Sequence, residues 1–301
     1  MRHPIIVVFL ALFLMACQAV GAERGALFRV TGHGHTLHLY GTIHAGRAGF
    51  YPLESRIGQA MAAAPALALE IDPSAYTPAM TATLSRYAVF APGSPGIAAL
   101  APERRSRIEA ALRRHGIARE DIAGLKPWML VTMLAQREAA ALGYVAEYGV
   151  DVHLARLAHE GRERRGRPLR VVELETWEYQ LALFDRLTDE QQWRLLEETL
   201  AEMASGRQRQ DTRALFDAYE RADQEGLEAI ARRIDSDDSI GGAYLRQVVL
   251  HERNEPMADK IASLLAREDK AVVAVGLLHL IGKHSLPELL RKRGIKVERI
   301  Y

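Results

Sequence analysis

One short pattern occurs twice in this chain, once near each end: a run of strand-forming residues that stops at Gly-x-x-His. The first copy ends at His44 and the second at His279. The apolar residues of each run favour a strand, and the glycine permits a sharp turn directly after it. In sheets that carry helices, functional sites lie beyond such strand ends. The repeat therefore predicts a sheet built from both ends of the chain, with two imidazoles at one edge.

Composition excludes one class of partner. The chain has 301 residues, of which 49% are hydrophobic and 26% charged, a balance that allows a globular protein to bury a substantial core. Lysine and arginine number 39 against 38 aspartate and glutamate, so the net charge is only +1. Such a charge creates no long-range field that would attract nucleic acid. We therefore expect no nucleic-acid partner.

The first 22 residues have the pattern of a secretory signal peptide. Basic Arg2 precedes an apolar run at residues 5–16, and small residues continue to Ala22. About twelve apolar residues are too few to span a ~30 Å hydrocarbon core as a helix. We therefore expect an exported, periplasmic protein whose mature part, residues 23–301, forms one domain and has no transmembrane helix of its own.

The chain has a single cysteine, Cys17, which follows Leu-Met-Ala directly after the apolar run. This sequence approximates a bacterial lipobox, in which a lipid anchor is attached to the cysteine sulfur. Cleavage after Ala22 would instead remove Cys17 together with the signal peptide, and the residues leave both alternatives open. In either case the mature chain forms no internal disulfide, so its stability rests on core packing.

Patterns of hydrophobicity and turn residues predict an α/β (mixed α+β) fold. The predicted strands are short apolar or alternating runs, at residues 28–31, 35–40, 65–72, 169–175, 271–275 and 296–300. Apolar residues at three- and four-residue spacings predict helices over 53–64 and 286–293, and throughout a helical insertion at about 76–265 that only the run at 169–175 interrupts. We therefore expect a central mixed sheet, formed by both ends of the chain and covered by the helical insertion.

Four predicted strand ends bring titratable side chains to one edge of this sheet: His44, Glu70 with Asp72, Glu173 with Glu175, and His279. Imidazole and carboxylate are the ligands of zinc, manganese and cobalt sites. A metal ion held there would lower the pKa of bound water. Without a metal, a histidine and a glutamate can act on water as a general base. The residues alone leave these two chemistries open.

Two further segments allow alternative interpretations. Asn254 is a candidate N-cap, with Pro256 in the first turn of the helix that follows. Arg253 either binds a substrate carboxylate or a developing oxyanion, or forms a surface salt bridge, and spacing does not choose between these roles. Asp151 opens a predicted helix, where a carboxylate favours the positive end of the helix dipole, so we expect that role rather than metal binding.

Seven segments taken together resemble the TraB/GumN family, which includes PrgY and the Tiki proteins. They run in the family's order and cover nearly all of the predicted mature chain. The segments are Leu39–His44, Leu67–Asp72, Leu125–Trp128, Gly149–Asp151, Leu174–Thr176, Arg253–Asn254 and Val275–Leu280.

The resemblance implies a fold related to the erythromycin-esterase and ChaN-like groups and, for Tiki-like members, a metal-dependent peptidase. Carried over to this chain, it implies His44, Glu70 and His279 as metal ligands, with Glu70 as ligand or general base. Arg253 takes the place of a functional arginine in the related esterases, and Glu175 is a weaker addition to the site. The leading expectation is a secreted hydrolase that cleaves peptide or protein substrates with water activated by manganese, cobalt or zinc.

Two other functions stay open at this point. ChaN-like relatives bind haem, for which histidines serve as axial ligands, so a haem- or ligand-binding protein is one alternative. The other is an esterase of the erythromycin-esterase kind, which uses histidine and glutamate as a base without a metal.

Overall fold

A computed structural model describes residues 21–74, 77–160 and 169–301. The predicted signal peptide, except its last two residues, and Cys17 lie outside the described residues. Six strands form one sheet in the order β4-β3-β5-β2-β1-β6. Their bounds are β1 Leu27–Gly32, β2 His35–Thr42, β3 Ala66–Leu69, β4 Arg170–Glu173, β5 Val272–Gly276 and β6 Lys296–Arg299. Strands β4, β3, β5 and β2 are mutually parallel, whereas β1 runs antiparallel to β2 and to β6. The predicted mixed α/β fold is thus confirmed.

Helices occupy most of the chain between β3 and β5, with β4 as the interruption that the sequence predicts. Helix α1, Ser55–Ala63, precedes β3, and α13, Leu286–Lys292, follows β5. The helices between these two strands are α2 Pro78–Ala88, α3 Pro102–Arg114, α4 Arg119–Gly124, α5 Pro127–Ala141, α6 Val150–Glu160, α7 Trp177–Phe184, α8 Asp189–Ser205, α9 Arg207–Glu220, α10 Gln224–Ser236, α11 Ile240–Tyr244, a π-helix Leu245–His251 and α12 Glu252–Leu265. No helix among these described residues is both long and apolar enough to cross a membrane.

The hairpin of β1 and β2 is confirmed, and its turn explains the local sequence. Gly32 pairs with His35, so His33 and Gly34 form a two-residue turn. Both turn residues have positive φ, 54° at His33 and 78° at Gly34. Two-residue hairpin turns favour this left-handed backbone because it matches the twist of the flanking strands.

The core explains why the central strands are continuously apolar. All four residues of β3 are buried, as are Val272 to Val275 in β5. Parallel strands that are covered on both faces lack the polar alternation of a half-exposed strand. Helix α6 packs against β3 and β5, and α12 packs against β2. The helical insertion has a second apolar cluster of its own, formed by residues of α3, α5 and α8 among others.

The prediction of a helix N-cap at Asn254 is wrong. Helix α12 begins at Glu252 and follows the π-helix without a break, so Asn254 lies inside the helix and is not its N-cap. Pro256 is likewise an internal residue of α12. The side chain of Asn254, which is free of a capping role, points instead to the carboxyl edge of the sheet.

Candidate active site

The carboxyl ends of the four parallel strands bring the predicted residues to one edge of the sheet. Glu70 directly follows β3, and His44 and Glu175 each lie two residues beyond the ends of β2 and β4. His279 lies in a single 3₁₀ turn, Leu277–Leu280, which begins immediately after β5. This edge is where sheets of this kind place their sites.

Gly276, the last residue of β5, lies at the centre of the group. A Cβ atom built on Gly276 would lie 3.1 Å from Glu70 Oε1, 3.6 Å from His44 Nε2 and 3.6 Å from His279 Cδ2. The three predicted site residues therefore surround one small space, which exists because residue 276 has no side chain. The Gly276 amide also donates a hydrogen bond of 2.6 Å to Glu70 Oε1.

Arg253 joins two buried carboxylates below this space. Its guanidinium donates to Glu70 Oε2, and to Glu175 through Nε at 3.0 Å and Nη2 at 2.5 Å. Gln180 Nε2 donates to Glu175 Oε2 at 2.9 Å and to Glu70 Oε2 at 3.3 Å. Arg253 is only 7% exposed, so it does not form a surface salt bridge. Charge-assisted, bidentate contacts of this kind fix carboxylates in one orientation.

The network keeps Glu70 ionised. Burial by itself would raise the pKa of Glu70, but nearby positive groups and the Gly276 amide lower it to about 2. His279 is uncharged at neutral pH, because burial lowers its pKa to about 4. Arg253, the cationic His44 and the Gly276 amide are therefore the groups that stabilise the Glu70 carboxylate at neutral pH.

Asn254 fixes the orientation and tautomer of His279. Asn254 Nδ2 donates to the carbonyl oxygen of His284 at 2.7 Å, so its Oδ1 must accept, and it does so from His279 Nδ1 at 2.6 Å. With the proton on Nδ1, the lone pair of His279 Nε2 is available, 3.8 Å from Glu70 Oε1. His279 is thus a buried, neutral imidazole beside an ionised carboxylate.

Asp151 has the corresponding role for His44. His44 Nδ1 donates to Asp151 Oδ2 at 2.9 Å, which directs Nε2 into the space beside Gly276. The His44 side chain is 70% exposed. The charge of Asp151 raises the pKa of His44 to about 9. At neutral pH the two imidazoles therefore differ in charge, with His44 cationic and His279 neutral.

Two of the carboxylates predicted for this edge lie elsewhere. Asp72 Oδ2 accepts from His159 Nε2 at 2.8 Å, and its Oδ1 accepts from Ser74. Glu173 Oε1 accepts from the backbone amide of Asp72 at 2.9 Å. Strand β3 ends at Leu69, earlier than the sequence predicts, so the chain turns before Asp72 and carries it away from the site.

Three side chains of the site were not predicted in these roles: Asp151, Gln180 and Asn254. Two of them, Asp151 and Asn254, belong to the Gly-Val-Asp and Arg-Asn segments that carry the family resemblance, and this membership was the available signal. Asp151 does lie in the first turn of α6, as predicted, but its carboxylate also binds His44. No comparable pattern singles out Gln180.

The residues fit a metal ion only in part. Within residues 21–74, 77–160 and 169–301, no three His, Cys, Asp or Glu side chains are grouped closely enough to hold a metal ion. His44 Nε2 and His279 Nε2 both have free lone pairs when neutral, and their Nδ1 atoms are held by an oxygen acceptor, as is usual for histidine ligands. Both oxygens of Glu70, however, are engaged by Arg253 and Gly276. The predicted set of three ligands is therefore not assembled in this structure.

Comparison with known proteins establishes the family. A model of the TraB/PrgY/gumN family matches residues 26–299, which is nearly the whole described chain. The chain belongs to this family. It is 28% identical over 264 residues to "Uncharacterized protein YbaP" of Escherichia coli K12, covering 84% of this chain and 87% of that protein, and the YbaP protein of Shigella flexneri matches equally.

A shorter match is to a protein whose name states a function. "Metalloprotease TIKI2" of Danio rerio is 39% identical over 70 residues, which cover 23% of this chain and 12% of that protein. No solved structure matches this chain significantly. The resemblance drawn from the sequence motifs is thus confirmed for the family, while the site roles rest on the geometry described above.

Proposed function

We propose that this TraB/PrgY/gumN protein is a hydrolase that cleaves peptide bonds at the space around Gly276. The observation that carries the proposal is the arrangement of His44 Nε2, His279 and Glu70 around that one point, each held by a partner of its own. The similarity to Metalloprotease TIKI2 supports the same reaction class.

The two histidines have complementary tasks in this proposal. Neutral His279 accepts a proton at Nε2 from the water that attacks the substrate carbonyl, and the nearby Glu70 carboxylate stabilises the imidazolium that results. Cationic His44 donates its Nε2 proton to the departing amine as the carbon–nitrogen bond breaks. Pairs of titratable groups whose surroundings move their pKa values apart are typical acid and base partners. Such proton transfers contribute roughly 10²- to 10⁴-fold each.

A divalent metal ion is the other way to activate the water, and the structure favours it less. His44 and His279 would hold the ion through Nε2, and zinc, manganese or cobalt would lower the pKa of bound water. Glu70 would complete the ligand set only after exchanging one of its contacts with Arg253 or Gly276. The metal thus stays a prediction, supported by the TIKI2 name and by the way the two imidazoles are presented.

The test is peptide cleavage by the purified protein, read by mass spectrometry on a mixed peptide library and with short esters. We expect His44→Ala and His279→Ala each to lower kcat/KM by about 100-fold or more. The control is His33→Asn, because His33 is exposed at the hairpin tip and asparagine tolerates its positive φ. A wild type that cleaves nothing, or alanine variants as active as the control, would refute the proposal.

Metal analysis of the same three proteins separates the two routes. After loading with zinc, manganese or cobalt and desalting, the acid–base route predicts no retained metal and activity that survives chelation. Stoichiometric metal that disappears in His44→Ala and His279→Ala, together with activity lost on chelation, would establish the metal route instead.

We also propose that the protein acts outside the cytoplasm, in the periplasm. The support is the signal-like pattern of residues 1–22, which lies almost wholly outside the described residues. Cell fractionation tests the location, and the intact mass of the mature protein distinguishes cleavage after Ala22 from a lipid-modified Cys17. Full-length protein in the cytoplasm would refute the proposal.

A further inference from the structure

An apolar groove of about 830 Å³ opens beside His44. One wall is helix α5, and the others are the chain around Ala45, the segment Tyr144–Ala146, and Leu215 with Phe216 on α9. We call this the α5 groove. A second apolar cavity of about 200 Å³, which includes Val249 and Leu277, shares His44 and Leu215 with it. The apolar surface is therefore continuous with the proposed active site.

The aromatic wall of the α5 groove is rigid. The rings of Tyr144 and Phe216 stack with centroids 3.7 Å apart and planes 2° from parallel. The Tyr144 hydroxyl donates to Glu220 at 2.6 Å, which fixes the outer end of the ring. Such a stacked, hydrogen-bonded aromatic pair forms a preorganised wall, which does not need to rearrange when a ligand binds.

The length of the groove limits its occupant. Its lining on α5 extends from Thr132 to Ala140, a distance of about 12 Å at the usual rise of a helix. An extended peptide rises about 3.3 Å per residue, so roughly four residues span this length.

The charges of the lining disfavour a basic ligand, and its mainly apolar surface favours apolar side chains. Among the described residues that line the α5 groove there is no acidic side chain. Arg137 and His44 are the ionisable cations of the lining, and Arg137 is exposed and has no ion pair within the described part of the chain. The remaining lining is mainly alanine, aliphatic and aromatic.

The backbone beside His44 favours a peptide over a hydrocarbon chain. Gly46 and Val145 form an isolated antiparallel bridge, with two backbone hydrogen bonds of 3.0 and 2.8 Å. Ala45, the neighbour of Gly46, makes no backbone hydrogen bond to any described residue. In an antiparallel pair, a residue next to a bonded position directs its N–H and C=O away from the partner strand. One donor and one acceptor are thus left for the main chain of a ligand, as in strand addition.

We infer that the α5 groove is a substrate subsite, which holds about four apolar residues of an extended peptide on one side of the bond presented to His44. The inference rests on the proposed function and adds the substrate class to it. Burying even one leucine-sized side chain favours binding by about tenfold or more. Peptides with an apolar run flanking the cleaved bond should therefore be preferred over polar ones by at least that factor.

The test fills the groove and leaves the acid–base residues unchanged. Ala135 and Ala140 line the groove and are exposed, so Ala135→Trp and Ala140→Trp place a large ring in it without disturbing the core. Ala201→Trp is the matched control, since Ala201 is an exposed alanine in helix α8, outside the groove lining. Two substrates are compared for each protein: a peptide with an apolar run, and a short ester that does not reach the groove.

We expect the two groove variants to lose about tenfold or more in kcat/KM on the apolar peptide and to keep their activity on the short ester. The control should keep both activities. The inference would be overturned if all variants cleaved the peptide equally well, or if the wild type showed no preference for apolar runs. Cleavage of the short ester would still support the proposed hydrolase in that case.

Binding provides a readout that does not depend on turnover. Fluorescence anisotropy of a labelled apolar peptide is measured with His279→Ala, whose altered residue does not line the α5 groove. Adding Ala140→Trp to this variant should weaken binding about tenfold or more. Unchanged binding would overturn the inference. A wild type without any cleavage activity would instead refute the proposed function.

Discussion

Replacing Arg253 by methionine isolates the charge that holds the site together. Arg253, Glu70 and Glu175 are 7%, 8% and 5% exposed, and the guanidinium contacts both carboxylates. Methionine has a similar length but no charge, so Arg253→Met leaves two buried carboxylates without their cation. An uncompensated buried charge is among the most destabilising changes that a single substitution makes.

The expected loss has the size that is typical of a broken buried ion pair. Breaking a buried ion pair by removing one partner typically costs about 3–5 kcal/mol. Arg253 is also one of the positive groups that lower the pKa of Glu70, so its removal takes away part of that stabilisation. We therefore expect Arg253→Met to lower the free energy of unfolding by about 3 kcal/mol at neutral pH.

The loss should depend on pH, with a definite sign. In the wild type the folded pKa of Glu70 is depressed, so its stabilisation is present above pH 4.5 and is lost as the pH falls towards 2. In Arg253→Met, burial is less opposed and raises the pKa of Glu70 relative to the wild type, which favours the protonated, uncharged form. The variant should therefore become less stable, relative to the wild type, as the pH rises from about 3 to about 7.

The assay is urea unfolding followed by circular dichroism at several pH values. The control is Arg86→Met, because Arg86 and Glu178 form an ion pair with both side chains at least 60% exposed. Exposed pairs contribute about 0–1 kcal/mol, so the control should unfold nearly as the wild type does. If Arg253→Met lost less than about 1 kcal/mol at neutral pH, or lost the same amount at every pH, the buried-charge argument would be refuted.

Three further substitutions test how the site is positioned. Asp151→Asn should return the pKa of His44 from about 9 towards 6.5, so the alkaline limb of the pH profile of kcat/KM should move to lower pH. Asn254→Leu removes the acceptor for His279 Nδ1 and should lower kcat about tenfold or more while KM changes little. Gly276→Ala should place a methyl group among the site residues and lower kcat/KM about tenfold or more, because its Cβ would lie 3.1 Å from the nearest of them.

Controls for these variants come from the chain itself. Gly124→Ala is matched to Gly276→Ala, since a Cβ on Gly124 meets nothing within 4 Å, and it should leave kcat/KM unchanged. Urea unfolding separates lost activity from lost structure in each variant. An alkaline limb that stays in place in Asp151→Asn, or full activity in Asn254→Leu or Gly276→Ala, would contradict the roles assigned to these side chains.

The sequence determined the sheet and the identity of several residues at its edge. Runs of apolar residues that end at glycine or at carboxylates placed the strands, because strand propensity and turn chemistry are local properties. The repeated Gly-x-x-His predicted that His44 and His279 would lie at the same edge, and both adjoin Gly276. The parallel direction of β2 and β5 makes that result a consequence of topology.

Only the tertiary structure decided what those residues contact. Asp151 lies 107 positions after His44, and Asn254 lies 25 positions before His279, so no local pattern links them as hydrogen-bonded pairs. Arg253 was equally compatible with the surface and the interior until α12 placed it between two carboxylates. The charge of each histidine depends on its burial and on the neighbours that folding brings close to it. The division of the two histidines into acid and base therefore could not be predicted from the sequence.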